Sequence, residues 1–296
     1  MIDTVELMRK VGNIRILTSH LVDNQLAGDY HSTFKSQGIE FDEVREYMVG
    51  DDDVRDIDWN VTARTGFPYV KRYSEERELT VMFVVDVSGS QSYSSTPRPK
   101  SELAAELTCL LALTSIRNQD NIGLILFSDR IVKTIPPRKG RKAVMRLVRE
   151  VLAADEASGG TDIAGALNYL GSILHRKAVV FLISDFQNEG WEKRIGITAR
   201  RHDLVCCHLS DPCEINLPDA GIVELEDPET GETAWVDTSA KAVREAFAAN
   251  ATERMRLLDA TFKSNKIDTM SLSTAEDPIH SVRAFFRRGA SKKTRR

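Results

Sequence analysis

The chain has 296 residues, of which 42% are hydrophobic and 28% are charged, a composition typical of a globular protein with room for one domain and additions. Its formal net charge of −4 gives no general basis for binding nucleic acid, and no apolar stretch approaches the roughly 20 residues of a membrane span. Asp3 and Glu6 interrupt the N-terminus, so it does not have the pattern of a secretory signal, and we expect a cytoplasmic protein.

The first 30 residues predict a helical region that ends near Gly28 and packs against the rest of the protein. Its apolar side chains recur at helical spacing, at Val5, Met8, Val11, Ile14, Leu17 and Leu21.

The segment 34–79 combines an acidic stretch, Asp51–Asp58, with nearby basic residues. The basic residues are Arg55, Arg64, Lys71, Arg72 and Arg77. Two interpretations stay open: a polar docking surface, or a solvated turn stabilised by ion pairs. Trp59 is predicted to anchor a hydrophobic core.

An unbroken apolar run from Thr80 to Val85 leads into Asp86-Val87-Ser88-Gly89-Ser90 and is the central feature of the sequence. Such a run predicts a strand buried on both faces of a sheet. Asp86, Ser88 and Ser90 then lie at the carboxyl end of a central strand, where open α/β sheets bind ligands. Oxygen ligands of low total charge suit a hard cation such as Mg²⁺ better than zinc.

Helices and strands alternate after this motif. The expected elements are a helix capped by Ser101, strands at 121–127 and 131–135, a helix at 142–152, a helix after Thr161, a strand at 178–184, a helix at 191–201 and a strand at 204–209. This alternation predicts an α/β fold with a doubly wound, mostly parallel sheet. The basic cluster Arg138–Arg146 has no Gly-x-x-x-x-Gly-Lys pattern, so a solvated helix face is favoured over a phosphate site.

The C-terminal third predicts a hairpin at 222–236, a long helix at 240–262, a strand at 267–272 and a helix that closes near Phe286. Residues 287–296 are basic, and we predict a disordered tail that touches membrane surfaces or nucleic acid only weakly.

Two further oxygen side chains complete a candidate metal site. Thr161 lies in Ser-Gly-Gly-Thr-Asp before a predicted helix, and Asp185 lies in Ile-Ser-Asp-Phe after a predicted strand. Asp86, Ser88, Ser90, Thr161 and Asp185, in this order, resemble the metal-ion-dependent adhesion site of von Willebrand factor A domains. The resemblance implies that Mg²⁺, or another hard divalent cation such as Mn²⁺ or Ca²⁺, binds there and receives a carboxylate from a partner protein. The alternative is that the same side chains cap helices without an ion.

A second resemblance covers residues 35–210. The segments Gly-Ile-Glu-Phe, Arg-Glu-Tyr, Arg-Asp-Ile-Asp-Trp and Thr-Ala-Arg, in this order, are similar to the bacterial family known as domain of unknown function 58. We predict an N-terminal block at 1–78 packed on an A-like domain at 79–286, with the tail at 287–296. Because relatives are commonly associated with MoxR-type AAA+ ATPases, the resemblance implies an adaptor or co-chaperone in assembly of client proteins.

Two other kinds of chemistry are weaker interpretations. A metal-dependent phosphohydrolase could use Asp86 as nucleophile. Haloacid-dehalogenase-like enzymes, however, require a second Asp two residues later as general acid, and this chain has Ser88 there. None of the six histidines follows a nucleophile elbow, so we predict a non-enzyme. A zinc site is disfavoured because no Cys-x-x-Cys pair occurs, and buried free thiols are expected instead. That site would draw on Cys206, Cys207, His208 and Cys213.

Overall fold

The computed structural model describes residues 9, 11–14, 18, 21–22, 24–34, 40–74, 79–92, 94–154, 160–226, 231 and 233–294. Contacts divide the chain into two compact units, Met1–Phe34 with Thr80–Arg296 and, separately, Lys35–Leu79. The sequence predicted residues 1–78 as one block, whereas the structure groups the first part of that block with the larger unit. The reason is the helix Asn24–Phe34, which buries Tyr30 and Phe34 in the larger unit.

The helices, in chain order, are α1 (Asn24–Phe34), α2 (Trp59–Thr65), α3 (Lys100–Arg117), α4 (Arg141–Leu152), α5 (Ile163–Ile173), α6 (Glu192–Arg201), α7 (Pro212–Ile215), α8 (Lys241–Ser264) and α9 (Pro278–Thr294). The strands are β1 (Glu40–Glu46), β2 (Tyr69–Ser74), β3 (Thr80–Asp86), β4 (Asn121–Phe127), β5 (Ile131–Arg138), β6 (Val179–Ser184), β7 (Asp203–Ser210), β8 (Ile222–Glu226), β9 (Thr233–Asp237) and β10 (Asp268–Ser273).

A six-stranded sheet in the order β10-β7-β6-β3-β4-β5 organises the larger unit. All neighbouring strands are parallel except β5, which is antiparallel to β4. From β3 the chain builds β4 and β5 on one side, and then returns to build β6, β7 and β10 on the other. The carboxyl ends of β3 and β6 therefore form a topological switch point, the usual ligand position of such sheets.

Helices cover both faces of this sheet, so the predicted doubly wound α/β fold is confirmed. On one face Met82 and Val84 pack with Ile163 of α5 and Phe262 of α8 in one buried cluster. On the other face the rings of Phe83 and Phe181 stack with centroids 5.5 Å apart. Phe34 of α1 packs edge-on against Phe181 and against Phe286 of α9. Alternate residues of a strand point to opposite faces, so the apolar run of β3 supplies both layers.

The smaller unit contains the antiparallel pair β1–β2 and the helix α2. Asp58 caps α2 by accepting hydrogen bonds from Asn60 N and Val61 N. The prediction for Trp59 is wrong, because its side chain is 67% exposed at the first position of a helix that has no buried residue. Within the acidic stretch, Asp52 pairs with Arg45 at 2.5 Å, which is a structural role for that carboxylate. The side chains of Lys71, Arg72 and Arg77 lie outside the described residues.

Several helix boundaries differ from the predictions. Gly28 lies inside α1 rather than ending a helix, because α1 runs on to bury Phe34. Helix α3 begins at Lys100 with Pro99 at the N-cap, so Ser101 lies inside the first turn and does not cap the helix. Helix α9 continues to Thr294 over residues predicted as disordered, since Arg, Lys and Ala favour helix once it is nucleated. The predictions at Val5, Met8, Leu17 and the hairpin turn at 227–230 fall outside the described residues.

The ends of each predicted strand of the main sheet are confirmed to within three residues, and the hairpin at 222–236 is confirmed as the pair β8–β9. In the described part of the chain, no helix combines the length and the apolar character needed to cross a membrane.

Candidate functional site

Asp86 is the last residue of β3 and is 2% exposed. Its Oδ2 accepts a hydrogen bond from Ser184 Oγ at 2.7 Å, and its Oδ1 accepts one from Ser88 N at 3.0 Å. The carboxylate is thus held by the neighbouring strand β6 and by its own loop. Burial, followed by the charge of Asp185, raises the pKa of Asp86 to about 7. A cation at this position would oppose both effects and favour the charged carboxylate.

The two predicted serine ligands lie next to each other. Ser88 follows β3, Ser90 lies in the short 3-10 helix Gly89–Ser92, and their hydroxyl oxygens are 3.1 Å apart. Gln91 is 1% exposed, and its Oε1 is a buried acceptor without a hydrogen-bond partner in the described structure. Several oxygen atoms with capacity for a ligand therefore collect directly after β3.

Thr161 precedes Asp162, the N-cap of α5, and backbone atoms of these two residues bond to two neighbouring loops. Asn188 Nδ2, in the loop after β6, donates to Thr161 O at 2.7 Å. Asp162 N donates to Ser128 O at 2.8 Å, and Ser128 follows the end of β4. These bonds join the segment Thr161–Asp162 to the loops at the carboxyl ends of the two strands that flank β3, and the part of Thr161 in the site stays a prediction.

Asp185 follows β6 and bonds to a lysine that sequence reasoning missed. Lys100 Nζ lies 2.8 Å from Asp185 Oδ2 and 2.6 Å from Glu214 Oε1, and the Lys100 side chain is fully buried. Burial works against the ammonium, but the charges of Asp185 and Glu214 and the hydrogen bonds to them outweigh it and raise the pKa of Lys100. A signal existed: a cation in the first turn of a helix is unfavourable beside the helix dipole unless carboxylates compensate it.

The candidate donors are oxygen atoms, the ligand type that hard divalent cations prefer. Asp86, Asp185 and Glu214 supply three carboxylates against the one ammonium of Lys100, which leaves a negative excess when all are ionised. Among the described residues no cluster of three or more His, Cys, Asp or Glu side chains is placed to hold a metal ion. An ion would therefore depend on hydroxyl oxygens and on waters as well as on carboxylates, as the predicted set requires.

The cysteines have a different character. Cys206 and Cys207 are buried neighbours on β7, and burial raises the pKa of both thiols, which disfavours the thiolate that zinc binds.

Comparison with known proteins finds one family model, "Protein of unknown function DUF58", which matches residues 43–256. A protein of Mycobacterium tuberculosis described as uncharacterized is 28% identical over 295 residues, covering 98% of this chain and 92% of its own. A Mycobacterium avium protein, also described as uncharacterized, is 32% identical over 162 residues, covering 53% of this chain and 95% of its own.

Two solved structures align with the chain at low similarity. The conserved hypothetical protein BatB from Bacteroides thetaiotaomicron aligns with a TM-score of 0.46 at 15% identity, covering 72% of this chain and 99% of that one. The VWA domain of SpRpn10 aligns with a TM-score of 0.38 at 9% identity, covering 70% and 94%. Both TM-scores are below 0.5 and support no structural inference.

Proposed function

This chain belongs to the DUF58 family of proteins of unknown function, and we propose that it is a binding module that recognises a partner protein through a divalent cation, Mg²⁺ in the first place. The residues that would hold the ion are Asp86, Ser88, Ser90, Thr161 and Asp185, at the switch point of the sheet. The bound ion would supply an electrophilic position that takes a carboxylate of the partner.

One observation carries the proposal. The Ser88 and Ser90 hydroxyl oxygens lie 3.1 Å apart beside the buried carboxylate of Asp86, at the position where α/β sheets bind ligands. The unpartnered Oε1 of Gln91 and the excess of carboxylates over Lys100 support it, because each of these features is stabilised by a cation.

The geometry of Asp86 favours binding over phosphoryl transfer. A nucleophilic carboxylate needs an oxygen that can reach a substrate, whereas both oxygens of Asp86 accept hydrogen bonds and the residue is 2% exposed. The position two residues later is Ser88, which is not an acid, so no general acid stands at that place.

The partner class is a proposal that rests on the family resemblance alone. A MoxR-type AAA+ ATPase would act on a client protein that this module presents through its metal-bound surface, which makes the module an adaptor or co-chaperone.

Mg²⁺ titration by calorimetry tests the metal site directly. Ser88→Ala/Ser90→Ala removes two neutral ligands without changing the charge, and Ser92→Ala is the matched control in the same 3-10 helix. We expect wild type and Ser92→Ala to bind alike and the double variant to bind at least about tenfold more weakly. Equal affinity in all three proteins, or no binding by folded wild type, would contradict the proposal.

A separate assay tests the enzymatic alternative. Purified protein should not hydrolyse p-nitrophenyl phosphate in the presence of Mg²⁺. Turnover that disappears in Asp86→Asn, with the fold intact by circular dichroism, would favour the phosphohydrolase.

A further inference from the structure

A cavity of about 220 Å³ opens beside Asp185, between the loop that follows β6 and the helix α8. Its apolar lining includes Phe186, Trp191 and Met255, and its acidic lining includes Glu189 and Glu192. The cavity adjoins the candidate metal site through Asp185, but none of the predicted ligands other than Asp185 lines it.

We propose that this cavity is a recognition pocket for a long cationic side chain, arginine or lysine, of the partner protein whose carboxylate reaches the ion. The proposal deepens the function proposed above and rests on it for the identity of the partner. The expected recognition element is thus an acidic residue and a nearby basic residue on one partner surface.

The size of the cavity suits one side chain. Pockets for drug-sized ligands occupy roughly 300–1,000 Å³, which exceeds the 220 Å³ available here. Phe186 and Trp191 are 7% and 4% exposed and form apolar walls with ring centroids 5.5 Å apart. Such walls accept the aliphatic stem of a long basic side chain while its charged end stays at the polar rim.

The charge of the lining selects a cation. Four carboxylates line the cavity, whereas its basic side chains are Arg254 and His208. Burial lowers the pKa of His208 and favours the neutral ring, and Lys100 pairs with two of the four carboxylates, Asp185 and Glu214. The lining carboxylates are those of Asp185, Glu189, Glu192 and Glu214. In the described part of the chain, neither Glu189 nor Glu192 forms an ion pair with a basic side chain. A cationic group is therefore the electrostatic complement of this pocket.

The hydrogen-bonding groups of the lining also favour a cationic ligand. Asn188 donates its Nδ2 to Thr161 O, which fixes the orientation of the amide, and its Oδ1 is a buried acceptor without a partner in the described structure. Guanidinium and ammonium groups are donors only, so they match a lining that contains this amide and the rim carboxylates.

Helix α8 leaves apolar surface for a ligand to cover. Of its 24 residues only Ala251 and Phe262 are buried, and Met255 and Leu257 of the lining are 42% and 52% exposed. A second cavity, of about 350 Å³, shares Met255, Leu258 and His208 with the first, so the helix is incompletely packed along this length. A side chain bound in the pocket would cover part of this surface.

Fluorescence of Trp191 reports on the pocket directly. The chain has three tryptophans, and Trp59 and Trp235 are exposed, so Trp59→Phe/Trp235→Phe leaves Trp191 as the single reporter. The probe is N-acetyl-arginine amide in EDTA, compared with N-acetyl-leucine amide and N-acetyl-glutamate amide. We expect a saturable change with the arginine probe and at least about tenfold weaker binding of the other two, with a parallel rise in melting temperature.

Variants locate the binding site. Glu189→Gln/Glu192→Gln should weaken the arginine probe at least about tenfold, because it removes the rim charge. Glu245→Gln removes an exposed carboxylate from α8 outside the lining and should bind as the parent does. The proposal is overturned by no saturable change in either fluorescence or melting temperature, by equal binding of the leucine probe, or by unchanged binding in the double variant.

The metal-free assay keeps the two proposals separate. If the protein binds Mg²⁺ but not the arginine probe, the recognition pocket is contradicted and the metal-dependent module stands. If the protein binds the arginine probe but not Mg²⁺, the proposed function is contradicted and the recognition pocket stands.

Discussion

Replacing Lys100 with methionine should lower the free energy of unfolding by about 3–5 kcal/mol at pH 7, the usual cost of removing one partner of a buried ion pair. The Lys100 side chain is fully buried, and its Nζ lies 2.8 Å from Asp185 and 2.6 Å from Glu214. Methionine keeps most of the aliphatic volume and leaves two carboxylates without their cation. Because the pKa of Lys100 is raised, its contribution is fully present at pH 7 and is lost only as the pH rises through that raised value.

Lys133→Met is the matched control. Its Nζ also lies 2.6 Å from a carboxylate, that of Glu150, but the Lys133 side chain is 45% exposed. Exposed pairs contribute no more than about 1 kcal/mol, so the two variants separate burial from distance. Urea unfolding followed by circular dichroism in EDTA gives both free energies from the midpoint and the slope.

The double variant Lys100→Met/Glu214→Gln tests the cause of the loss. If the loss comes from an unpaired carboxylate, neutralising Glu214 should recover part of it, and the two substitutions should not be additive. The reasoning is refuted if Lys100→Met costs no more than Lys133→Met, or if the double variant loses the full sum of its single losses.

Three further predictions follow from burial. In EDTA the raised pKa of Asp86 should make wild type less stable as the pH rises from about 4 to about 7, because folded Asp86 keeps a proton that the unfolded chain releases. Urea unfolding should show a smaller fall in stability over this range for Asp86→Asn, and also for wild type with Mg²⁺. An unchanged fall in the variant would assign it to other groups. Val84→Asp places a charge inside buried β3 and should abolish cooperative unfolding. Val132→Asp, at a 42% exposed position of β5, should lower the free energy of unfolding by no more than about 1 kcal/mol. Equal thermal stability of the two variants would exclude a buried β3. Trp59→Ala should change the free energy of unfolding by no more than about 0.5 kcal/mol, whereas Trp191→Ala should lower it by about 3–5 kcal/mol. Similar losses for the two variants in chemical denaturation would mean that Trp59 is buried.

The sheet could be predicted from the sequence because its signals are local. The run from Thr80 to Val85 is continuous and is followed by a polar residue. The structure places it in strand β3 inside the sheet, where the six residues from Val81 to Asp86 are buried. The position of Asp86 and Asp185 at one edge of the sheet follows from the alternation of strands and helices, since parallel strands place their carboxyl ends at one edge. The structure adds that their strands are neighbours.

The partners of Lys100 could not be identified in this way because they are distant in sequence. Asp185 lies 85 residues away and Glu214 lies 114 residues away, and only the folded sheet brings them together. The prediction that Trp59 is buried was wrong because the preference of tryptophan for buried positions is only statistical. Nothing in the local pattern showed that Asp58 would cap a short helix and leave the next side chain in solvent.

The contacts of Lys100 belong to a wider network that joins the loops around the candidate site. Asp211, fully buried after β7, accepts hydrogen bonds from Ser95 of the loop after β3 and from Thr274 after β10. Although burial works against the charged carboxylate, these hydrogen bonds lower the pKa of Asp211.

Glu214, three residues after Asp211, forms an ion pair with Lys100, and Lys100 also pairs with Asp185. One set of charged and hydrogen-bonded side chains therefore connects the loops after β3, β6, β7 and β10. Fixing these loops before binding reduces the entropy that a partner must remove, and this is the property that a metal-dependent recognition surface requires. Under the function proposed above, the same network predicts that Lys100→Met would weaken partner binding as well as folding, because it releases Asp185 and α7 together.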